Sequence, residues 1–375
     1  MRRFPLLRFI LDNSLLLIAG TVVAVVWANV DLASYDAVAH PLHFAVNDIG
    51  MVFFFALAAK EVFEATLPGG SLSSPRRAAA PLAAAVGGMA LPAAIYVALV
   101  AARGPDELMR GWAIPCATDI AFSAMIARII FPRAHPAIPF LLLLAIADDA
   151  MGLIILAVFY PTGTLSIAAL AVLLPAGMLL AWYLKRRGTR SFWPYVIGPG
   201  ALSWAALYLG GFHPALALVP IVPFMPHAKT DIGIFDPREE KRHDTLNEFE
   251  HWWATPVQVI LLLFGFANAG VPFAQIGPGT YYVLAALLLG KPIGILLFSA
   301  AARLAGAHLP TGLRVGDLLV VGVAASIGFT VSLFFATAAF PEGAALAETK
   351  MGALLSFFAA PLAIVIARAV RPRPV

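Results

Sequence analysis

Residues 139–152 read Pro-Phe-Leu-Leu-Leu-Leu-Ala-Ile-Ala-Asp-Asp-Ala-Met-Gly, and the apolar run continues to Tyr160. The run is long enough to cross a bilayer core as a helix, which takes about 20 mostly apolar residues. Asp148 and Asp149 lie near its middle, roughly 15 Å from its start at about 1.5 Å per residue. Ionisable groups at that depth cost at least a few kcal/mol each, so they usually face the protein interior and mark a pathway. The stretch therefore predicts a membrane helix that carries a functional site.

The whole chain has the composition of an integral membrane protein. Of its 375 residues, 61% are hydrophobic and 12% are charged, against about 25% charged residues in soluble domains. A soluble fold of this size cannot hide so much apolar surface, and the same composition excludes intrinsic disorder. The single cysteine, Cys116, excludes an internal disulfide and a multi-cysteine metal site.

Further apolar segments accompany the first one. The predicted spans are 14–30, 44–66, 77–100, 112–131, 139–160, 164–184, 194–210, 213–225, 249–270, 280–302, 315–340 and 348–368. Arg2-Arg3 followed by the apolar run that ends at Val30 resembles a secretory signal, but the later spans favour a retained first helix. Segment 213–225 is the shortest and is rich in proline. We predict an all-α integral membrane protein with 12 transmembrane helices.

Lysine and arginine give the orientation of these spans. If the N-terminus is cytoplasmic, 20 of the 25 basic residues lie in inside segments and three lie outside, while Lys60 and Lys291 lie within spans. This split obeys the positive-inside rule and predicts that both termini are cytoplasmic. The longest polar stretch, 226–248, then lies inside and has the character of a connector. No segment outside the membrane is long enough for a separate domain, which counts against a receptor or a large enzyme.

Two spans are interrupted near their middles. Pro115 removes a helix hydrogen bond in the fourth span, and Gly328 is flanked by small and hydroxyl residues in the eleventh. Each is the middle span of a three-helix group, 77–160 and 280–368. Such paired breaks indicate an inverted-repeat transporter with its site at the breaks. The alternative is close helix packing, for which Gly and Pro are common in membranes.

Other ionisable residues are predicted within the spans. Adjacent helical residues are about 100° apart, so Asp148 and Asp149 can reach one cavity without sharing one proton. Lys291 is too deep for easy access to water, and we expect it to pair with one of the two aspartates. One aspartate is then open to a purely structural interpretation. Asp119 follows the first break, where it can neutralise exposed helix N-termini or contribute to transport.

Charged residues also lie at span ends. Asp48 opens the second span, where it can be an ordinary helix N-cap. Five groups at cytoplasmic span ends are candidates for a pH response: Lys60, Glu61, Glu64, Glu250 and His251. The alternative interpretation is structural, since Lys60 and Glu64 are spaced to pair along one helix face.

Several strings together resemble the NhaA-type sodium/proton antiporter family. They are Val46-Asn47-Asp48, Gly111-Trp112-Ala113-Ile114-Pro115, Ala117-Thr118-Asp119-Ile120-Ala121-Phe122, Ala147-Asp148-Asp149-Ala150-Met151-Gly152, Phe266-Ala267-Asn268-Ala269-Gly270-Val271, Gly290-Lys291-Pro292-Ile293-Gly294 and Ile327-Gly328-Phe329-Thr330. Each string is weak alone, but their order and spacing cover spans two to eleven.

The resemblance implies a bacterial inner-membrane exchanger rather than an enzyme, active in a pH-dependent and electrogenic manner. It implies one membrane domain, 1–375, whose core part is 77–160 and 280–368, with two crossing broken helices. The interface part is then 14–66 and 164–270. The implied partners are Na+ or Li+, H+ and membrane lipids, with no cofactor and no nucleic acid.

The resemblance also implies roles for the residues near the breaks. Asp149 is the implied principal site for the transported cation and proton, and Asp148 is its partner and a second ligand of sodium. Lys291 would compensate the charge of Asp148 until sodium displaces it. Thr118 and Asp119 would lie where the broken helices cross.

The resemblance further implies that Asp48 lines the entry from the periplasm. Other parts of the chain match the family less closely. Lys60 falls where the family's second span carries the first glutamate of Gly-Leu-Glu-x-x-x-Glu. The loop 31–43 is too short for the β-hairpin through which family members can dimerise, so a homodimer would lack that contact.

Two rival functions use the same residues differently. A sodium-coupled symporter of an organic solute would need a further pocket, which the apolar surroundings of Asp148 and Asp149 disfavour. An intramembrane aspartyl protease needs aspartates on two helices that share a proton, and a Gly-x-Gly-Asp motif. The nearest string is Arg314-Val315-Gly316-Asp317, which has Arg in place of the first Gly and lies near a span end.

Overall fold

The computed structural model describes residues 14–163, 166–227 and 244–370. Within those ranges the regular elements are helices, with no β-strand among them. The α-helices are Leu15–Val30, Leu32–Ala39, Met51–Thr66, Pro75–Arg103, Ile120–Ile130, Ala137–Phe159, Ile167–Arg186, Trp193–Tyr195, Ala201–Gly210, Thr245–Asn268, Pro278–Ala285, Lys291–Leu304, Val315–Ala325, Phe329–Ala339, Ala344–Leu355 and Ala359–Val370. Most of the predicted connector 226–248, and Arg2-Arg3, lie outside the described residues.

Short turns of other helix types extend or interrupt these helices. The π-helical turns are Phe44–Gly50, Val196–Gly200 and Ala286–Gly290, and the 3-10 helices are Asp106–Cys116, Pro214–Leu216, Val222–Phe224, Phe273–Gln275 and Ser356–Phe358. Among the described residues, five helices are long and apolar enough to cross a membrane, or eight if each of three bent pairs forms one span. The chain is therefore a multi-pass helical membrane protein, and the number of twelve spans stays a prediction.

Four elements carry the candidate site. The aspartate helix is Ala137–Phe159, and the lysine helix is Pro278–Leu304, which runs continuously through a π-helical turn. The first broken pair is Asp106–Cys116 with Ile120–Ile130, and the second is Val315–Ala325 with Phe329–Ala339; each bends by 49°. Both breaks fall where the sequence predicts them.

The predicted eighth span, 213–225, is not a continuous helix. It contains two short 3-10 turns, and residues such as Ala215 and Ile221 are fully buried. Three residues in the segment lack a backbone N–H and so cannot sustain an α-helix: Pro214, Pro220 and Pro223. The structure replaces the predicted helix by buried turns.

Close backbone contact fixes the lysine helix beside Pro75–Arg103. A Cβ atom on Gly294 would lie 2.1 Å from the carbonyl oxygen of Gly87, and one on Gly87 would lie 2.3 Å from that of Gly294. Only glycine fits at such an approach, as is common where membrane helices pack closely. This packing sets the depth and direction of Lys291, one turn before Gly294.

The segment 31–43 forms the helix Leu32–Ala39. Asp31 caps this helix by accepting a hydrogen bond from Ser34 N, and this bond lowers the pKa of the Asp31 carboxyl. The segment is therefore mainly helical and contains no β-hairpin.

Candidate functional site

Asp148 is held by two residues from other segments, Lys291 of the lysine helix and Thr118 in the first break. Lys291 Nζ lies 3.1 Å from Asp148 Oδ2, and both side chains are fully buried. The Thr118 hydroxyl lies 2.7 Å from the same oxygen. Burial of an ion pair is favourable only when the charges are paired and hydrogen-bonded, and Oδ2 meets both conditions.

The first break supplies a further partner for the buried lysine. Pro115 and the extended backbone at Ala117 and Asp119 interrupt the helix ladder, which leaves carbonyl groups without intrahelical donors. Lys291 Nζ donates to one of them, the carbonyl of Cys116, at 2.5 Å. The break therefore solvates the ammonium group with backbone oxygen.

Asp149 differs from its neighbour in having no such partners. In the ranges that the structure describes, no hydrogen bond or ion pair reaches its carboxylate. It lines a narrow cavity together with Asp148, Phe54, Phe55 and Phe335. Asp148 Oδ1 also has no hydrogen-bond partner among the described residues. One carboxylate and one further oxygen are thus available at the cavity.

The two breaks contact each other directly. Asp119 N donates to the carbonyl of Ile327 at 2.7 Å, and the Asp119 carboxylate accepts hydrogen bonds from both the backbone N–H and the hydroxyl of Thr330. Ser356 Oγ accepts from Gly328 N at 3.2 Å and from Phe329 N at 3.3 Å. The polar groups released by one break are therefore satisfied by the other and by a neighbouring helix.

Asp48 does not join this group. It lies half-buried in the π-helical turn Phe44–Gly50, and its carbonyl accepts a hydrogen bond from Trp204 Nε1 at 2.8 Å. It is not among the residues that line the Asp149 cavity. Its neighbour Asn47 forms a reciprocal pair of amide hydrogen bonds with Asn268, at 3.1 and 2.9 Å.

Three of the five candidate pH-responsive residues form an ion-pair network away from the Asp149 cavity. Lys60 Nζ lies 2.6 Å from Glu64 Oε2 and 2.6 Å from Glu250 Oε2. The pair within one helix was anticipated from its spacing, whereas the pair with Glu250 links Met51–Thr66 to Thr245–Asn268. Glu61, which follows Lys60 in the sequence, is half-buried, and His251, which follows Glu250, is exposed.

Removing the cation from this network is expected to destabilise the protein. Lys60 is 4% exposed, Glu64 is 13% exposed and Glu250 is 38% exposed. Lys60→Met should therefore lower the unfolding temperature in detergent much more than Glu250→Gln, because solvent screens an exposed partner to about 1 kcal/mol or less. The loss should shrink when Glu64→Gln is already present. Equal losses for Lys60→Met and Glu250→Gln would contradict this ranking.

Sequence reasoning missed several residues that complete the site. The Cys116 carbonyl and Ser356 were not singled out, and Thr330 was quoted only as part of a string. Thr330 could have been found from its hydroxyl beside the second break. Ser356 gave no signal, because its partners depend on how a distant helix packs.

Comparison with known proteins decides the family. A sequence profile described as Na+/H+ antiporter 1 matches residues 10–367. The chain belongs to this family. The Na(+)/H(+) antiporter NhaA of Desulfitobacterium hafniense (strain DSM 10664 / DCB-2) is 47% identical over 373 residues, covering 96% of this chain and 95% of that one. The Na(+)/H(+) antiporter NhaA of Geobacter sulfurreducens is 44% identical over 380 residues, covering 99% of each.

A solved structure gives the same result at the level of fold. The sodium proton antiporter MjNhaP1 from Methanocaldococcus jannaschii superposes with a TM-score of 0.56 over 96% of this chain and 92% of that one, at 16% identity. At this identity the likeness shows the fold alone. Membership of the Na+/H+ antiporter 1 family confirms the resemblance inferred from the motifs.

Proposed function

We propose that this member of the Na+/H+ antiporter 1 family exchanges cytoplasmic Na+ or Li+ for external H+ across the bacterial inner membrane. More protons than sodium ions would move per cycle, which makes the exchange electrogenic. One observation carries the assignment of the site. Of two adjacent aspartates, Asp148 is paired, and Asp149 lines the cavity with no hydrogen bond or ion pair from any described residue. The relatives named as Na(+)/H(+) antiporters support the chemistry.

The chemistry follows from the two available oxygen groups. Burial disfavours the charged form of a carboxyl, whereas a bound cation favours it. A site that holds either a proton or a sodium ion, but never both, exchanges one for the other. Sodium is a hard cation that suits oxygen ligands; we assign these to the Asp149 carboxylate, Asp148 Oδ1 and the Thr118 hydroxyl. Sodium binding would then displace Asp148 from Lys291.

We also propose the architecture that the sequence predicts. Twelve spans would form two inverted repeats, with a core of 77–160 and 280–368 and an interface part of 14–66 and 164–270. The contact between the two breaks supports crossing of the broken helices there. The distribution of basic residues supports cytoplasmic termini.

Asp119 and the peripheral charges receive supporting roles in this proposal. Asp119 would neutralise the helix N-termini at the breaks, since its carboxylate accepts from Thr330 N. Asp48 would line the route from the periplasm. The network of Lys60, Glu64 and Glu250 would respond to cytoplasmic pH together with two neighbours in sequence, Glu61 and His251.

Inside-out membrane vesicles with an imposed pH gradient test this function. A pH dye would follow the addition of sodium, lithium or potassium at several pH values. Proton release on addition of sodium or lithium, but not potassium, is the expected result. If no cation releases protons at any pH, exchange is excluded. Sodium-dependent uptake of an organic solute would then favour a symporter, for which the comparisons give no support.

Competition between proton and sodium predicts a specific pH dependence. The apparent KM for sodium should rise as pH falls, by up to about tenfold per pH unit where one proton competes with one sodium ion. Initial rates over a sodium series at each pH would measure it. A KM for sodium that is independent of pH would contradict a shared site.

A further inference from the structure

His135 contacts the starts of two helices that carry the site. Its Nδ1 accepts a hydrogen bond of 3.2 Å from Ala137 N, the first residue of the aspartate helix. Its Nε2 lies 3.8 Å from Asp317 Oδ2. The ring stacks on Phe131, with centroids 4.8 Å apart and planes 24° from parallel. His135 is therefore held in one orientation between two partners.

Asp317 ties the other side of this contact to the second broken pair. It lies in the first turn of Val315–Ala325, where its Oδ2 accepts a hydrogen bond of 3.0 Å from Arg314 N. Its side chain is 2% exposed, and that of His135 is 15% exposed. Solvent therefore screens the attraction between the His135 ring and the Asp317 carboxylate only weakly. A change in the charge of the ring acts on the first turns of both helices.

The contacts of His135 with its two partners respond in opposite ways to protonation of the ring. The hydrogen bond from Ala137 N needs a bare Nδ1, which puts the proton of the neutral ring on Nε2, toward Asp317. A second proton must bind Nδ1, where it opposes the N–H of Ala137 and breaks that bond. The same proton gives the ring a positive charge that attracts Asp317. Protonation thus breaks the hydrogen bond from Ala137 N to His135 and strengthens the ion pair of His135 with Asp317.

On the segments that surround His135, Asp317 is the carboxylate that favours protonation of the ring. It is the only aspartate or glutamate in 120–147, 303–325 and 359–370. Apart from His135, the other ionisable groups on these segments are Arg128, Arg133, Arg303, His308, Arg314 and Arg368. These groups are basic, so they oppose protonation of His135 and leave Asp317 to favour it.

We propose that His135 is a positioning residue that changes partner on protonation and so sets the maximal rate of exchange. This inference rests on the proposed function. The neutral ring caps the aspartate helix and faces Asp317 only with an uncharged N–H, so this helix can move relative to the second broken pair. The protonated ring uncaps that helix and joins its loop to Asp317. Exchange is therefore faster when His135 is neutral.

The test is the maximal rate at saturating sodium, because competition at Asp149 no longer contributes there. Histidine ordinarily titrates near pH 6.5, so the wild-type maximal rate should fall up to about tenfold from about pH 8 to about pH 5.5. His135→Asn keeps an acceptor at the position of Nδ1 but cannot ionise. Its maximal rate should fall by no more than about threefold over this range. The pH dependence that remains would come from other groups, such as the network of Lys60, Glu64 and Glu250.

Two further variants and one structural readout complete the test. His308→Asn removes an exposed histidine from the segment between Lys291–Leu304 and Val315–Ala325 and should keep the wild-type profile. Asp317→Asn removes the anion that favours the charged ring, so its midpoint should move to lower pH. Amide hydrogen exchange at Ala137, corrected for intrinsic rates, should quicken at low pH in the wild type but not in His135→Asn.

The possible failures are distinguishable. A wild-type maximal rate that does not depend on pH, or His135→Asn with the wild-type slope, would overturn the role of His135 while exchange itself remains. Absence of sodium-driven proton movement in the wild type at every pH would instead overturn the proposed function.

Discussion

Asp149→Asn is expected to abolish sodium-driven proton release. Asparagine keeps the size of the side chain but can neither carry a proton in exchange nor supply a charged oxygen to sodium. Loss of charge-assisted interactions worth about 3 kcal/mol corresponds to a loss of roughly 100-fold or more in sodium affinity. Proton release from inside-out vesicles, compared with the wild type at equal protein amounts, measures the effect.

A matched control separates this loss from misfolding. Asp149 has no hydrogen bond or ion pair within the described residues, so Asp149→Asn should leave the unfolding temperature in detergent close to that of the wild type. Asp149→Glu keeps the charge and should retain some exchange with a changed KM for sodium. Exchange that survives in Asp149→Asn would remove this residue from the transport site.

The sequence was sufficient to predict the membrane class, the family and the place of both breaks. The membrane class and the breaks depend on local properties: an apolar run, a proline or glycine in a fixed position, or a charge where water is absent. The family followed from the resemblance of several motif strings in order. The pair of Lys291 with one aspartate also followed from burial alone, because an unpaired charge at that depth is costly.

The residue pattern by itself left open which aspartate Lys291 contacts, whereas the family resemblance implied Asp148, and the contact in the structure is with Asp148. Asp148 and Asp149 are adjacent in one helix, and their difference arises from how the lysine helix packs through Gly87 and Gly294. The link between Lys60 and Glu250 has the same origin, since it joins helices that are distant in the chain. Contacts of this kind depend on tertiary packing rather than on local pattern.

The segment 213–225 shows that hydropathy alone can predict a helix that the backbone does not form. Its hydropathy suggested a span, but its prolines removed backbone donors and left buried turns. Apolar composition indicates where a segment lies, and only the backbone chemistry indicates whether it can be a helix there.

Removing the charge of Lys291 is expected to have the largest effect on stability. Lys291→Met keeps an unbranched side chain and leaves the fully buried Asp148 without its cation. Breaking a buried ion pair in this way ordinarily costs about 3–5 kcal/mol. The unfolding temperature in detergent should fall sharply and exchange should be lost, whereas Lys291→Arg, which keeps the charge, should retain exchange.

The double variant Lys291→Met with Asp148→Asn isolates the charge pair. Both Lys291→Met and the double variant lose the donor to the Cys116 carbonyl, so a difference in stability between them reports the unpaired carboxylate. The double variant should recover most of the unfolding temperature, because a neutral amide at residue 148 can still bond to Thr118. It should not recover exchange, since Asp148 is also a proposed ligand of sodium. If the double variant is as unstable as Lys291→Met alone, the lysine stabilises the helices through its hydrogen bond to Cys116 rather than through the charge of Asp148.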